Sequence, residues 1–147
     1  MKGRTGSETW HEQLRRMQDE HAQKIRSAVR DEVGAFSEQM NRTSLQAAVD
    51  VWSRHVSPDE WSQADLVRLA RDVGRGRAAE TKDVQVIRCA LLRAAGLDER
   101  PAAAAAVEAG ATYVEIAAVL GMTQQGARAR VRSYRADSAA EARESRS

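Results

Sequence analysis

Large and mostly apolar residues recur every three or four positions through the first forty residues of the chain. These positions, which we call the seam, are Trp10, Leu14, Met17, His21, Ile25, Val29, Val33, Phe36 and Met40. The spacing predicts one long amphipathic helix. Since the seam covers thirty residues in eight steps, its period is above the ~3.6 residues per turn of a free helix, and we expect a straight or slightly right-handed seam. The pattern leaves open whether the seam packs on the rest of the chain or joins two copies of it.

Start and stop signals divide the middle of the chain into shorter helices. Capping boxes at Thr43 and Ser57 predict two helix starts, and the second of these helices is expected to end near Gly74. Two more helices are expected over about 81–96 and 98–110, each ending at a glycine. Because the chain has only two prolines and few β-branched runs, the pattern predicts an all-α fold.

Two further start signals lie on either side of a glycine near the C-terminus. Thr112 and Glu115 form a capping box before a short apolar stretch that ends at Gly121. Thr123 is then the expected N-cap of a second helix, which begins at Gln124. Two short helices joined by a tight glycine turn predict a helix-turn-helix.

Residues 113–131 resemble the helix-turn-helix of bacterial DNA-binding proteins, with residues 102–110 as the preceding helix. The matching positions are the apolar Ile116, Leu120, Met122 and Ala127, the small Ala117, the turn glycine Gly121 and the cap Thr123. Arg130 departs from the motif, because many of these proteins have an apolar residue at the corresponding position. The run from Gln125 to Val131 looks like actinobacterial members of the sigma-region-4-like and homeodomain-like kind. The resemblance implies a C-terminal tri-helical region whose last helix contacts double-stranded DNA.

The two faces of the predicted recognition helix differ in chemistry. At ~100° per residue, its apolar positions share one face and its basic positions the other, and residues 122–136 carry four arginines and no acid. Gln and Arg form bidentate hydrogen bonds to adenine and guanine edges. The expected base-reading residues are Gln124, Gln125 and Arg128, and the expected phosphate-binding residues are Thr123, Arg132 and Arg135. Arg130 lies nearer the apolar face and is expected to pair with Glu115.

These patterns predict four parts of the chain. They are a long amphipathic helix at 1–42, a helical middle region at 43–97, the helix-turn-helix region at 98–136 and a disordered tail at 137–147. The formal net charge is only +2, so the acid-free block in the third part is the one place where a polyanion is expected to bind.

Several classes of protein are not expected from this sequence. Cys89 is the only cysteine, which rules out an intrachain disulfide and favours a reducing, cytoplasmic setting. The chain has neither the apolar stretch of a signal peptide nor that of a membrane span. It also has no nucleophile elbow, phosphate-binding glycine loop or metal-ligand spacing. We therefore expect no enzyme, no metal and no cofactor.

Two functions remain open at the level of sequence. The first is sequence-specific binding of double-stranded DNA by a dimeric transcriptional regulator that is cytoplasmic and associated with the nucleoid. The alternative is a helical adaptor whose C-terminal motif docks on another protein. The basic exposed face of the predicted recognition helix favours the first, and nothing in the sequence indicates a small-molecule effector.

Overall fold

A computed structural model describes residues 9–146 of the chain, and it contains six helices and no strand over that range. The helices are α1 (Trp10–His55), α2 (Gln63–Gly74), α3 (Thr81–Ala94), α4 (Arg100–Glu108), α5 (Tyr113–Leu120) and α6 (Gln124–Ser145). The all-α prediction is confirmed. Contacts divide the chain into two compact units, Met1–Met40 and Asn41–Ser147, so the predicted middle region, helix-turn-helix region and tail belong to one unit.

Residues 10–40 of α1 form a helix whose seam is exposed. The eight large apolar residues of the seam are between 37% and 67% accessible to solvent. Gly34 does not interrupt the helix. The helix start predicted at Thr43 is wrong, because α1 continues without a break to His55. A capping box caps only where the preceding residues leave the helix, and no proline or glycine lies between residues 35 and 57 to end it.

The last turns of α1 contribute to the first hydrophobic core of the second unit. Buried residues of α1, α2 and α3 form this core, namely Ala48, Val49, Trp52, Leu66, Leu69, Ala70, Val73 and Val84. Trp52 also meets Trp61 edge to face, with ring centroids 5.4 Å apart, a geometry that aromatic pairs prefer.

The start of α2 lies later than the sequence predicts. Its N-cap is Ser62, whose hydroxyl accepts a hydrogen bond from the Asp65 backbone N–H at 3.1 Å. The start predicted at Ser57 is wrong, and the Ser57 hydroxyl instead accepts from the Asp59 N–H at 3.2 Å and from the indole N–H of Trp61 at 3.0 Å. The predicted end at Gly74 is confirmed.

A buried arginine ties the base of α1 to α3. The guanidinium of Arg88 donates to Ser44 Oγ at 2.8 Å, to Asn41 Oδ1 at 2.9 Å and to Gln85 Oε1 at 3.1 Å. All three acceptors are neutral, and burial lowers the pKa of Arg88 from its ordinary value. Since a buried guanidinium is costly unless its donors are satisfied, this set of bonds fixes how residues 41–44 sit against α3.

Helices α3 to α6 form the rest of the second unit. The helix starts predicted near residues 81 and 98 agree with α3 and α4 to within two residues. Two overlapping cores are shared by these helices, one around Cys89 and Val131 and one around Ile116 and Ala127. Because α3 packs on α4, the boundary predicted at residues 97 and 98 does not separate two compact units.

The predicted disordered tail is wrong as far as Ser145, because α6 continues to that residue. Residues 136–142 are rich in alanine, the best helix former. Asp137 is also bound by Arg100 of α4 at 3.0 Å, which holds the start of this extension. No helix within residues 9–146 is both long and apolar enough to cross a membrane.

Candidate nucleic-acid interface

The connection between α5 and α6 is short and closely specified by local bonds. Thr112 Oγ1 accepts from the Glu115 N–H at 3.1 Å, and Glu115 Oε1 accepts from the Thr112 N–H at 3.2 Å, which confirms the predicted capping box. Gly121 has φ 67° and ψ 37°, a left-handed conformation in which glycine is favoured. Thr123 Oγ1 accepts from the Gly126 N–H at 3.0 Å, so its predicted role as N-cap is also confirmed.

Small side chains bring α4 close to its neighbours. Its buried residues Ala102, Ala103, Ala104 and Ala106 pack in the same clusters as Val131 and Ala127 of α6. Alanine at a helix contact allows a close approach of the two backbones, and interiors packed in this way yield little to strain. The inner face of α6 is therefore fixed against a stiff support.

A buried carboxylate of α4 holds the side of α6. Arg130 donates from Nε to Glu99 Oε2 at 2.7 Å and from a terminal nitrogen to Oε1 at 2.9 Å. The Glu99 side chain is only 2% accessible, and Arg93 approaches it at 3.6 Å. Burial by itself raises the pKa of Glu99, but the hydrogen bonds and charge of Arg130 hold that pKa below its ordinary value. Glu99 is thus a carboxylate at neutral pH, and both of its oxygens accept hydrogen bonds from the Arg130 guanidinium.

The pairing of Arg130 with Glu115 expected from the sequence is wrong. Glu115 lies 3.3 Å from Lys82 of α3 instead. The hydrogen bond from the Thr112 N–H, and after it the contact with Lys82, lower the pKa of Glu115. Arg130 faces the N-cap of α4, where Glu99 accepts from two of its three guanidinium nitrogens and Asp98 lies 3.6 Å away. Arg130, at the position where the resembled motif has an apolar residue in many members, is therefore paired with the buried Glu99.

A second tie from α4 reaches the middle of α6. Arg100 donates to Ser133 Oγ at 2.8 Å and to Asp137 Oδ2 at 3.0 Å, and it is bound on its other side by Asp98 at 2.9 Å. Hydrogen bonds from Arg100 lower the pKa of Asp98. Asp137 is the first acid after the basic block, and Arg100 partly offsets its charge.

All six residues predicted to touch a nucleic acid lie on the exposed side of α6 or at its start. Gln124, Gln125, Arg128 and Arg132 line one shallow concavity together with Ala129 and Ser133. Thr123 and Arg135 are exposed but lie outside this concavity, and the Thr123 oxygen accepts from the Gly126 N–H as the cap of α6, which leaves its O–H as a donor. The structure therefore brings four of the six together on one surface.

Two functional neighbours of this surface escape the sequence patterns. Tyr113 of α5 places its ring 5.0 Å from the guanidinium carbon of Arg128, a cation–π contact that restrains a long side chain. Glu99 is the N-cap residue of α4 but makes no side-chain cap bond there, because its carboxylate binds Arg130 instead. The signal that could have found it is Arg130 itself, since an arginine close to the apolar face of a helix needs a partner.

The surface offers hydrogen-bond donors and positive charge. Cys89 is buried, its Sγ donates to the Glu99 carbonyl oxygen at 3.7 Å, and burial raises the thiol pKa to about 12. Within residues 9–146 no group of three or more His, Cys, Asp or Glu side chains is arranged to hold a metal ion. The four predicted side chains on this surface are amides and guanidinium groups.

Comparisons of this chain with protein-family models, with curated proteins and with solved structures give no match. The functional assignment therefore depends on the geometry and chemistry of the chain itself.

Proposed function

We propose that this chain binds double-stranded DNA sequence-specifically through a helix-turn-helix made of α5, the turn at residues 121–123 and α6. In this proposal it acts as a dimeric transcriptional regulator in the cytoplasm, associated with the nucleoid. The observation that carries the proposal is the exposed, acid-free face of α6, on which Gln124, Gln125, Arg128 and Arg132 line one surface while the opposite face is fixed to α4.

The residues near the start of α6 are the proposed base readers. A recognition helix presents its N-terminal residues to the floor of the major groove, and Gln124, Gln125 and Arg128 occupy that position. Tyr113 holds the guanidinium of Arg128, which reduces the conformational freedom that Arg128 loses when it meets a guanine edge. The bonds from Glu99 to Arg130 and from Arg100 to Ser133 fix the position of the α6 backbone that carries these side chains.

Phosphate contacts are assigned to the exposed residues farther from that floor. Arg132 and Arg135 lie one and two turns beyond Arg128, where a helix in the major groove passes the sugar-phosphate backbone. Thr123 adds a hydroxyl at the helix start, where open N–H groups and the helix dipole favour anions.

Dimer formation follows from the size of the reading surface. One short recognition helix contacts few base pairs, and a specific site in a genome usually needs two half-sites. A two-fold dimer then requires an inverted repeat with half-sites about 10 base pairs apart or a multiple of this distance.

Selection of a preferred duplex from a random pool, followed by titration at several salt concentrations, tests the proposal. If four to six phosphates are contacted per dimer, the log–log slope of affinity against salt is expected to be roughly −4 to −6. Failure to enrich any sequence, together with a flat slope, would instead support the adaptor function.

Single alanine variants then separate reading from positioning. Gln125→Ala and Arg128→Ala are each expected to cost about 1–3 kcal/mol on the preferred site and to relax the preference at one base position. Arg132→Ala is expected to weaken binding to all duplexes alike. Arg68→Ala, which removes an exposed arginine of α2, is the matched control and should change neither. Equal loss of specificity in all three α6 variants would contradict the assigned roles.

A further inference from the structure

A cleft in the second unit lies between the turn after α2, the start of α3 and the C-terminal end of α4. Its volume is about 370 Å³, which falls in the range of small-molecule sites. Val73 and Ala105 contribute small apolar walls. The polar and charged side chains that line it are those of Arg75, Thr81, Gln85 and Glu108. The cleft therefore has the composition of a small-molecule site, apolar walls with a few polar groups.

Gln85 carries a buried hydrogen-bond donor that the chain itself does not use. The residue is only 3% accessible, and its Oε1 accepts from the Arg88 guanidinium at 3.1 Å. Since a guanidinium has only donors, the amide atom that faces it is the oxygen, and the NH2 group is the other branch of the amide. No group within residues 9–146 accepts from this Nε2. Because buried donors are nearly always satisfied, Nε2 requires an acceptor in the cleft.

The other buried polar residue of the cleft is already satisfied. Thr81 is 5% accessible, and its Oγ1 donates to the Ala78 carbonyl oxygen at 2.7 Å and accepts from the Ala78 N–H at 3.1 Å. These two bonds belong to the turn that begins α3. The unsatisfied donor of Gln85 is therefore the group that sets what the inner part of the cleft binds.

Arg88 makes the Gln85 amide a stronger donor than a free amide. The three acceptors of the buried Arg88 guanidinium are all neutral, so its charge is not offset by a carboxylate among them. Hydrogen bonds in a chain polarise one another, and a guanidinium on the amide oxygen draws electron density from the amide nitrogen. The Nε2 donor of Gln85 therefore favours an anionic acceptor.

Two exposed side chains of opposite charge line the same cleft. Arg75 is the C-cap residue of α2, and Glu108 is the last residue of α4. Neither side chain forms an ion pair or hydrogen bond within the described residues. The negative end of the α4 dipole lies at Glu108 and adds to its carboxylate. The cleft thus offers one cationic and one anionic group to a single occupant.

We propose that this cleft binds a small zwitterion of the size of an α-amino acid, with its carboxylate on Gln85 and Arg75 and its ammonium group on Glu108. An anion alone faces repulsion from Glu108, and a cation alone leaves the Gln85 donor unsatisfied and faces Arg75. Water satisfies Gln85 but uses neither charge. The residues of this site differ from those of the exposed face of α6, and the inference does not depend on DNA binding.

Thermal unfolding of the full-length chain with each natural amino acid tests for an occupant. At least one amino acid is expected to raise the unfolding midpoint, because a ligand that binds only the folded chain stabilises it. Calorimetric titration is then expected to give a dissociation constant of roughly 0.1–1 mM, typical of a ligand of about ten non-hydrogen atoms. The amide of that amino acid lacks the carboxylate, and its deaminated acid lacks the ammonium group. Each is expected to bind about tenfold more weakly.

Gln85→Glu separates ligand binding from folding. The new carboxylate gives Arg88 a charged acceptor of nearly the same shape, so the variant is expected to be no less stable than the wild type. The substitution also removes the Nε2 donor and places negative charge beside the ligand carboxylate. The affinity for the amino acid is therefore expected to fall at least tenfold. Arg77→Ala, at an exposed residue of the same loop that does not line the cleft, is the control and should bind normally.

Glu108→Gln tests which group of the ligand Glu108 meets. It is expected to weaken binding of the amino acid about three- to tenfold, while the deaminated acid binds at least as tightly as it does to the wild type, because the repulsion is gone. Arg75→Ala is expected to weaken both ligands. Asp83→Asn, at an exposed acid outside the cleft, should change neither. A purely structural role of Glu108 would shift the affinities of the two ligands in the same direction.

Specific outcomes overturn the inference. If no natural amino acid raises the unfolding midpoint or binds in calorimetry, the cleft holds solvent only. Equal affinity for the amino acid and its deaminated acid would replace the zwitterion site with a plain anion site. Unchanged affinity in Gln85→Glu would place the ligand elsewhere on the chain. All of these measurements are made without DNA, so failure of this inference and failure of the proposed DNA binding are distinguishable.

Discussion

Residues 10–40 of α1 and the group formed by α4, α5 and α6 both show apolar residues at helical spacing, yet they use them differently. In the first region large side chains recur and remain exposed. In the second region small side chains, many of them alanine, are buried against neighbouring helices. Periodicity therefore shows that a helix has an apolar face, whereas the sizes of the residues on that face and the elements that follow it decide whether the chain itself covers it.

The same substitution in the two regions gives the largest expected difference. Val131→Asp places a carboxylate at a fully buried position and is expected to destabilise the second unit by more than about 4 kcal/mol. Val33→Asp introduces it at a position that is 51% accessible and should leave the unfolding of that unit unchanged. Thermal unfolding followed by the near-UV signal of the Trp52 and Trp61 pair measures both. Equal loss of stability in the two variants would mean that the seam is part of the same folding unit.

Removal of the buried carboxylate gives the next largest effect. Glu99→Gln removes the buried carboxylate that binds Arg130 and is expected to cost about 2–3 kcal/mol, less than the loss of a wholly buried pair, because Arg130 is half exposed and keeps Asp98 at 3.6 Å. Glu115→Gln, at an exposed carboxylate, is the matched control and should have a smaller effect. Denaturant unfolding at neutral pH checks the difference.

The Glu99 pair also makes stability depend on pH. Because the pKa of Glu99 is lower in the folded chain than its ordinary value of 4.5, its contribution is fully present above that value. The contribution is lost as the pH falls through the folded-state pKa. The free energy of unfolding of the wild type should therefore fall below about pH 4.5, and that of Glu99→Gln should fall less steeply. Parallel slopes for the two proteins in acid would contradict this assignment.

Two glycines give the smallest effects, and these are opposite in sign. Gly121→Ala forces a left-handed conformation on a residue with a Cβ and is expected to cost about 1–2 kcal/mol. Gly34 lies within α1, where an added Cβ meets nothing within 4 Å, so Gly34→Ala should stabilise the helix by about 0.5–1 kcal/mol. Unfolding of each variant, followed by helix content, tests the pair. A stabilising effect at residue 121 would show that the turn tolerates another backbone conformation.

Local signals in the sequence were reliable where the chain leaves a helix just before the cap and the cap hydroxyl accepts from the N–H three residues further on. The caps at Thr112 and Thr123 each depend on atoms within three residues, and so does the left-handed turn at Gly121. The capping pattern at Ser57 failed, because its hydroxyl accepts from the Asp59 N–H and from the Trp61 indole N–H rather than from the N–H three residues further on. The pattern at Thr43 failed because α1 does not end before it.

The support of the proposed recognition helix was not accessible to local reasoning. Glu99 and Arg130 are 31 positions apart, and no periodicity links them. The exposed positions of α6 could be predicted from their angle around the helix. Ala127, Val131 and Tyr134 define the apolar face, so the residues on the opposite side of the helix are expected to be exposed. Which acid meets Arg130 depends on how α4 approaches α6, and that approach is set by packing between helices rather than by any one segment.

The alanines of α4 have a consequence for the entropy of folding. An alanine has no side-chain rotamers to lose when it is buried, whereas Gln124, Gln125 and Arg132 on the outer face of α6 are exposed and keep more of theirs. The alanine packing of α4 against α6 therefore costs little side-chain entropy. A ligand that meets this surface finds a backbone already ordered at low entropic cost, and the side chains that remain to be ordered are those that make the contact.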